Sequence, residues 1–163
     1  TSLSADCVSL ISSRELEDDA MVNFRMSGGT VGRLWTSSCA IGRQHGLAIQ
    51  VFGETGGLRW SQEQPNQLFY TQVGGRTQVI ERGEANLSPE ADRSSRVTVG
   101  HAEGMPLAFA NIYTELAHAI DSAKRGETPD LGLIPMVEAG ADSIKAIAAV
   151  ANSGSNKGEW VAL

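Results

Sequence analysis

The chain has little cysteine, no surplus of positive charge and no long apolar run. Cys7 and Cys39 are its only cysteines in 163 residues and form no Cys-x-x-Cys pair. Neither a zinc site nor a disulfide framework is therefore indicated, and reduced thiols in a cytoplasm fit the pattern. Lys and Arg number 13 against 19 Asp and Glu, a formal net charge of -6. Without clustered positive charge, nucleic acid and an anionic membrane surface are not expected partners. No stretch approaches the roughly 18 to 20 apolar residues of a membrane span, and no charged-then-apolar signal segment opens the chain. A cytoplasmic protein is expected. The first residue is Thr1 rather than Met and lies in what reads as a strand entry, so a piece of something longer is expected.

What is present is mostly strand. Alternating runs span residues 7–12, 20–26, 30–38, 47–52, 58–62, 67–73 and 76–82, with glycine-rich links at Ser27-Gly28-Gly29, Gly42 to Gly46 and Val73-Gly74-Gly75. Links this short imply an antiparallel meander. Between Leu47 and Leu68, Gly53 and Gly56-Gly57 are suited to the positive backbone angles of a tight reversal, with Ile49, Val51, Leu58 and Trp60 at strand period on either side. No Gly-x-Gly-x-x-Gly or terminal Lys-Ser/Thr carries such a strand into a helix, so these glycines serve the fold and not a phosphate.

The second half turns helical. Ser88-Pro89 predicts a capped short turn, Phe109, Ile112, Tyr113, Leu116 and Ile120 predict a helix over 106–125, and Val137, Ile144, Ile147 and Ala148 predict another over 135–151. The tail 158–163 reads as a last strand returning to the sheet. The expected fold is α+β: one domain over 1–163, a large, mostly antiparallel open sheet with two long helices packed on one face and no Rossmann domain in this chain. Two helices leave the second face of such a sheet open, and its Met, Trp, Phe and Ile side chains predict a homo-oligomer.

The segments Asp18-Asp19-Ala20-Met21-Val22, Trp35-Thr36-Ser37-Ser38, Gly53-Glu54-Thr55-Gly56-Gly57-Leu58-Arg59-Trp60, Gln62-Glu63-Gln64-Pro65-Asn66-Gln67-Leu68, Gly100-His101-Ala102-Glu103-Gly104, Ala108-Phe109-Ala110-Asn111-Ile112-Tyr113 and Trp160-Val161 follow one another in an order and spacing that resemble the C-terminal domain of the Gfo/Idh/MocA oxidoreductases over nearly the whole chain. The resemblance implies enzymes acting on sugars or polyols with NAD or NADP. It also implies a separate Rossmann domain for the nicotinamide, and a C-terminal sheet forming a substrate wall and the oligomer interface. The family's catalytic lysine, in a Glu-Lys-Pro motif, and its Asp and His pair match no position here. No catalytic residue is therefore assigned, no cofactor is expected on this chain alone, and the chain alone is expected to be inactive. The alternative is a stand-alone, non-catalytic module that binds carbohydrate or protein.

Candidate substrate contacts are His101, whose imidazole can donate to and accept from a sugar hydroxyl, and Glu103, suited to fix its tautomer. The bland reading is a loop histidine bonded to backbone. Relatives often carry Pro and an aromatic where this chain has Ala102 and Met105, so stacking from there is not expected. His101-x-Glu103 also opens the zinc deaminase signature, but its Pro-Cys-x-x-Cys partner is missing and no metal site is assigned. Arg43, Gln44 and His45 form a second polar cluster, against surface solvation as the plain alternative. Trp60 and Gln62 face either a substrate or a neighbouring subunit. Cys39 with His45 lacks the third, orienting group of a thiol nucleophile. Arg93 and Arg96 precede His101 as loop arginines.

Overall fold

A computed structural model describes residues 1–132 and 134–163, which form two compact units, 1–42 with 135–163 and 43–134. In chain order the elements are β1 (Ser2–Val8), β2 (Asp19–Arg25), β3 (Val31–Ser37), β4 (Ala48–Phe52), β5 (Gly56–Ser61), β6 (Gln67–Gln72), β7 (Thr77–Glu81), α1 (Pro89–Arg93), α2 (Met105–Lys124), α3 (Val137–Ser155) and β8 (Val161–Ala162). The α+β class is as the sequence predicts. The strands, however, divide into two four-stranded antiparallel sheets, β3-β2-β1-β8 and β4-β5-β6-β7, where the alternation suggested one large sheet. Period-two patterning fixes strands and their faces but carries no signal for which strand pairs with which across a long link.

In the first unit α3 lies against β1 and β8, and Leu3, Ala5 and Val22 of the sheet are buried beneath its Ala149. The helix comes close because its contact face is small. Ser153 is fully buried, accepting from Ala5 N at 2.8 Å and donating to Glu159 O at 2.6 Å. A Cβ on Gly154 would stand 2.8 Å from Cys7 Sγ. The large residues whose spacing predicted the helix, Val137, Ile144 and Ile147, are exposed. Ser153 and Gly154 continue the helix, which was expected to end near Ala151, because Ser153 is needed inside that contact.

The first strand is also displaced, to Ser2–Val8 from the predicted 7–12. The Asp18 carboxylate accepts from Leu10 N at 2.8 Å and Ile11 N at 3.1 Å, turning residues 9–18 back on themselves. The bond from Leu10 leads the causes that hold the Asp18 carboxyl below its usual range.

In the second unit the cross-strand register stacks Ile49, Trp60, Leu68 and Ile80 in one row and Val51, Leu58 and Tyr70 in the next, on the same face. On the other face the Arg59 guanidinium lies 4.4 Å from the centre of the Phe69 ring. Gly53, Gly56 and Gly57 keep ordinary backbone angles, contrary to the expected positive φ. Gly56 is required for a different reason: a Cβ there would stand 2.7 Å from Thr71 O on the neighbouring strand.

Ser88 caps α1 as read, accepting from Ala91 N at 3.3 Å, with Pro89 in the first turn. The apolar stripe of α2 was expected to cover the sheet. Among the described residues no strand of its unit packs along it, and Phe109, Ile112, Tyr113, Leu116 and Ile120 are exposed. Polar bonds fasten α2 to the preceding loop, through Arg96 to Asn111 Oδ1 (2.5 Å) and Thr114 Oγ1 (2.6 Å), and through Asn111 Nδ2 to Ser94 O (2.7 Å).

Candidate functional site

At one end of the second sheet, the corner between β5 and β6, the end of β7 and the loop before α2 enclose an open groove of about 360 Å³. It is lined by Glu63 to Gln67, Glu81, Arg82 and Gly100 to Ala102. Each wall follows from local sequence. The Gln64-Pro65-Asn66 corner turns tightly, with Gln67 N donating to Gln64 O at 3.2 Å, and the Trp60 indole N–H holds Pro65 O at 3.0 Å. On the floor the Gln67 amide donates to Glu81 Oε1 at 2.7 Å.

The opposite wall is the loop carrying His101. Its Nδ1 lies 3.1 Å from Thr98 Oγ1, and among the described residues no protein group bonds its Nε2, which is free to meet a ligand hydroxyl. Glu103 has a different role from the one read in the sequence. Its Oε1 accepts from Arg82 Nη1 at 2.7 Å, Arg96 N at 2.5 Å and Val97 N at 2.8 Å. With 8% of its side chain exposed against 17% for Arg82, the pair is largely out of water. Glu103 therefore holds the loop from beneath, and the expected hydrogen-bond partner of the His101 ring is Thr98 instead.

The turn before β4 is tied to this end of the sheet by Glu63, which lines the groove. One carboxylate oxygen accepts from Gly46 N and the other from Ser61 Oγ, both at 2.7 Å. These bonds, Ser61 first, bring its pKa from 4.5 down to about 2. Arg43, Gln44 and His45 stand exposed on that turn and do not line the groove. Gln62 donates its backbone N–H to Leu47 O at 2.9 Å, one residue outside the lining set. Arg93 and Arg96 point elsewhere, the first to Glu115 at 3.3 Å and Asp130 at 3.2 Å, the second to α2.

Arg82, Asn66, Gln67 and Glu81 were not singled out from the sequence. The one signal for them was the Pro-Asn corner; a lone arginine at a strand end otherwise reads as solvated. In the first unit, burial raises the Cys39 thiol pKa and the neighbouring Asp18 raises it further, so Cys39 is a neutral thiol and a poor nucleophile.

All strand pairings are antiparallel, and no strand–helix–parallel strand unit occurs among the described residues. Among the described residues there is thus no strand-to-helix cradle of the Rossmann kind. Among the described residues no group of three or more His, Cys, Asp or Glu is placed to hold a metal, and no helix is long and apolar enough to cross a membrane.

Residues 3–163 match the family described as an oxidoreductase family, C-terminal alpha/beta domain. An uncharacterized oxidoreductase, YfiI, from Bacillus subtilis (strain 168) is 33% identical over 162 residues, covering 98% of this chain and 41% of that protein. The crystal structure of an oxidoreductase from Sinorhizobium meliloti superimposes with a TM-score of 0.91 at 37% identity, over 99% of this chain and 46% of that one. An inositol dehydrogenase homolog complexed with NAD+ from Azotobacter vinelandii gives 0.88 at 32% identity, over 99% of this chain and 42% of that one. The chain spans less than half the length of these relatives.

Proposed function

Because the chain belongs to the Gfo/Idh/MocA oxidoreductase family as its C-terminal α/β domain, we propose that it is the substrate-binding and assembly portion of an NAD(P)-dependent sugar or polyol dehydrogenase. The observation that carries this is the groove at the end of the second sheet. It sets the open Nε2 of His101 opposite the Asn66 corner, with Gln64, Gln67 and Glu81 around it, a set of neutral and acidic groups matched to hydroxyls. Glu103 supports the loop, and Glu63 ties the turn carrying Arg43, Gln44 and His45 to this end of the sheet through Gly46 N. The A. vinelandii relative, described as an inositol dehydrogenase homolog in complex with NAD+, supports both the substrate class and the cofactor.

The nicotinamide and the proton-accepting groups belong to the rest of the enzyme, so the chain alone binds polyol weakly and transfers no hydride. The open face of the first sheet is proposed as the subunit contact. Met21, Val31 and Trp35 are exposed on it, and Arg25 lies 4.3 Å from the centre of the Trp160 ring beside them.

Titration of the chain with myo-inositol, followed by the backbone amide NMR signals of Gln64, Asn66 and Gln67, tests the groove. Saturable shifts that disappear in His101→Ala support it, and identical titrations of the two proteins overturn it. NADH formation by the chain alone would overturn the expected inactivity, and a monomer in sedimentation would overturn the proposed contact.

A further inference from the structure

We propose that Arg82 is the positioning residue of the groove, the side chain that sets where His101 stands relative to the Pro65–Asn66 corner. The inference rests on reading the groove as a polyhydroxyl site. Arg82 follows immediately on β7, so the sheet fixes its backbone, and its N–H donates to Asn66 O at 2.8 Å. Its guanidinium then reaches both walls. Nε donates to Asn66 Oδ1 at 3.0 Å on one side. On the other, Nη1 donates to Val97 O at 2.9 Å and Glu103 Oε1 at 2.7 Å, and Nη2 to His101 O.

These contacts grip the His101 loop at its two ends and at His101 itself, while the same planar group holds the corner opposite. A rigid fork with donors along three edges can do this; an ammonium, a single point of charge on a flexible stem, cannot span the same acceptors. Glu103 supplies the compensating charge that lets the guanidinium sit among carbonyls with 17% of its side chain exposed. With four of its five guanidinium donors engaged on the protein, Arg82 contributes geometry to the site rather than an anion receptor, although it lines the groove.

The test is the His101 imidazole nitrogen spectrum, recorded on the chain without ligand, together with the affinity for myo-inositol. In the unaltered chain the Thr98 contact at 3.1 Å sets the Nδ1 signal apart from that of a fully solvated imidazole, whichever of the two groups donates. Arg82→Lys, which keeps the charge and loses the fork, is expected to release the Thr98 contact, moving the Nδ1 signal to that of a solvated histidine, and to weaken myo-inositol binding about tenfold, with the amide signals of β4–β6 in place. Unchanged ring signals in Arg82→Lys overturn the proposal. If that variant does not fold, Asn66→Ala removes one acceptor of the fork, and ring signals unmoved by it overturn the proposal equally. His101→Ala separates the two ideas: unchanged myo-inositol affinity there defeats the groove reading, while the ligand-free ring signals still decide what Arg82 does.

Discussion

The first unit hides Leu3, Ala5, Val22 and Ala149 between a sheet and a helix, whereas the second, among the described residues, buries only Ala119 of its hydrophobic residues and closes its loops on the Arg82–Glu103 pair. Apolar burial is non-directional and scales with area, so it fixes a fold while leaving side-chain detail adjustable. A guanidinium fork with assigned acceptors is directional and holds particular atoms in particular places. The contrast therefore separates the part of the molecule that supplies stability from the part that supplies geometry, and the candidate site lies in the second.

Breaking the first kind of support has the largest expected effect. Leu3→Ala removes buried methyl groups beneath α3 and is expected to lower stability by about 3 kcal/mol, measured by urea unfolding. The His101 signals should be unmoved in the remaining folded protein. A loss below about 1 kcal/mol would place the core elsewhere. Next comes Glu103→Gln, which leaves the Arg82 charge unpartnered. Full burial would make such a loss 3 to 5 kcal/mol, and because this pair keeps some solvent contact about 2 kcal/mol is expected. Here the His101 loop signals should move and those of β1 and β2 should not, the reverse of the Leu3 result.

Gly154→Ala is smaller, at about 1.5 kcal/mol, because the added Cβ meets Cys7 where α3 approaches β1. Cys7→Ala should recover only part of that loss, since Cys7 Cβ as well as Sγ lies 2.8 Å from the new atom. Full recovery would mean that the sulfur alone sets the limit.

How much of this the sequence showed follows the same division. Alternation in residues 20–26, 58–62 and 67–73 gave strands and faces, and the Ser88-Pro89 pair gave a cap, because these signals are local. In α3 the periodicity of Val137, Ile144 and Ile147 marked the helix but not its contact face: those residues are exposed, and the close helix–sheet contact is made by Ala149, Ser153 and Gly154, selected for size. The place of Arg82 was invisible, since its acceptors lie 15 or more residues away at Asn66, Val97, His101 and Glu103. Glu103 stood out through its motif, yet only three-dimensional placement revealed that it faces Arg82 and two backbone N–H groups rather than the histidine ring.

Glu63 sharpens the comparison at its mildest. Its carboxylate is held by Ser61 Oγ and Gly46 N, and the folded pKa of about 2 lies below the ordinary 4.5. Between these values the unfolded chain binds the proton and the folded chain does not. Whatever order Glu63 gives the Arg43–His45 turn is therefore complete above pH 4.5 and is lost as pH falls toward 2. The Gly46 amide shift should titrate with a midpoint near 2, and Glu63→Gln should abolish that titration. The Ala5 amide is the control from the other unit. It donates to Ser153 Oγ, a group with no proton to lose in this range, so the same acidification should leave it still until the protein unfolds. A Gly46 midpoint near 4.5 would mean that backbone bonds alone hold the turn and that Glu63 is an ordinary solvated carboxylate at the rim of the groove.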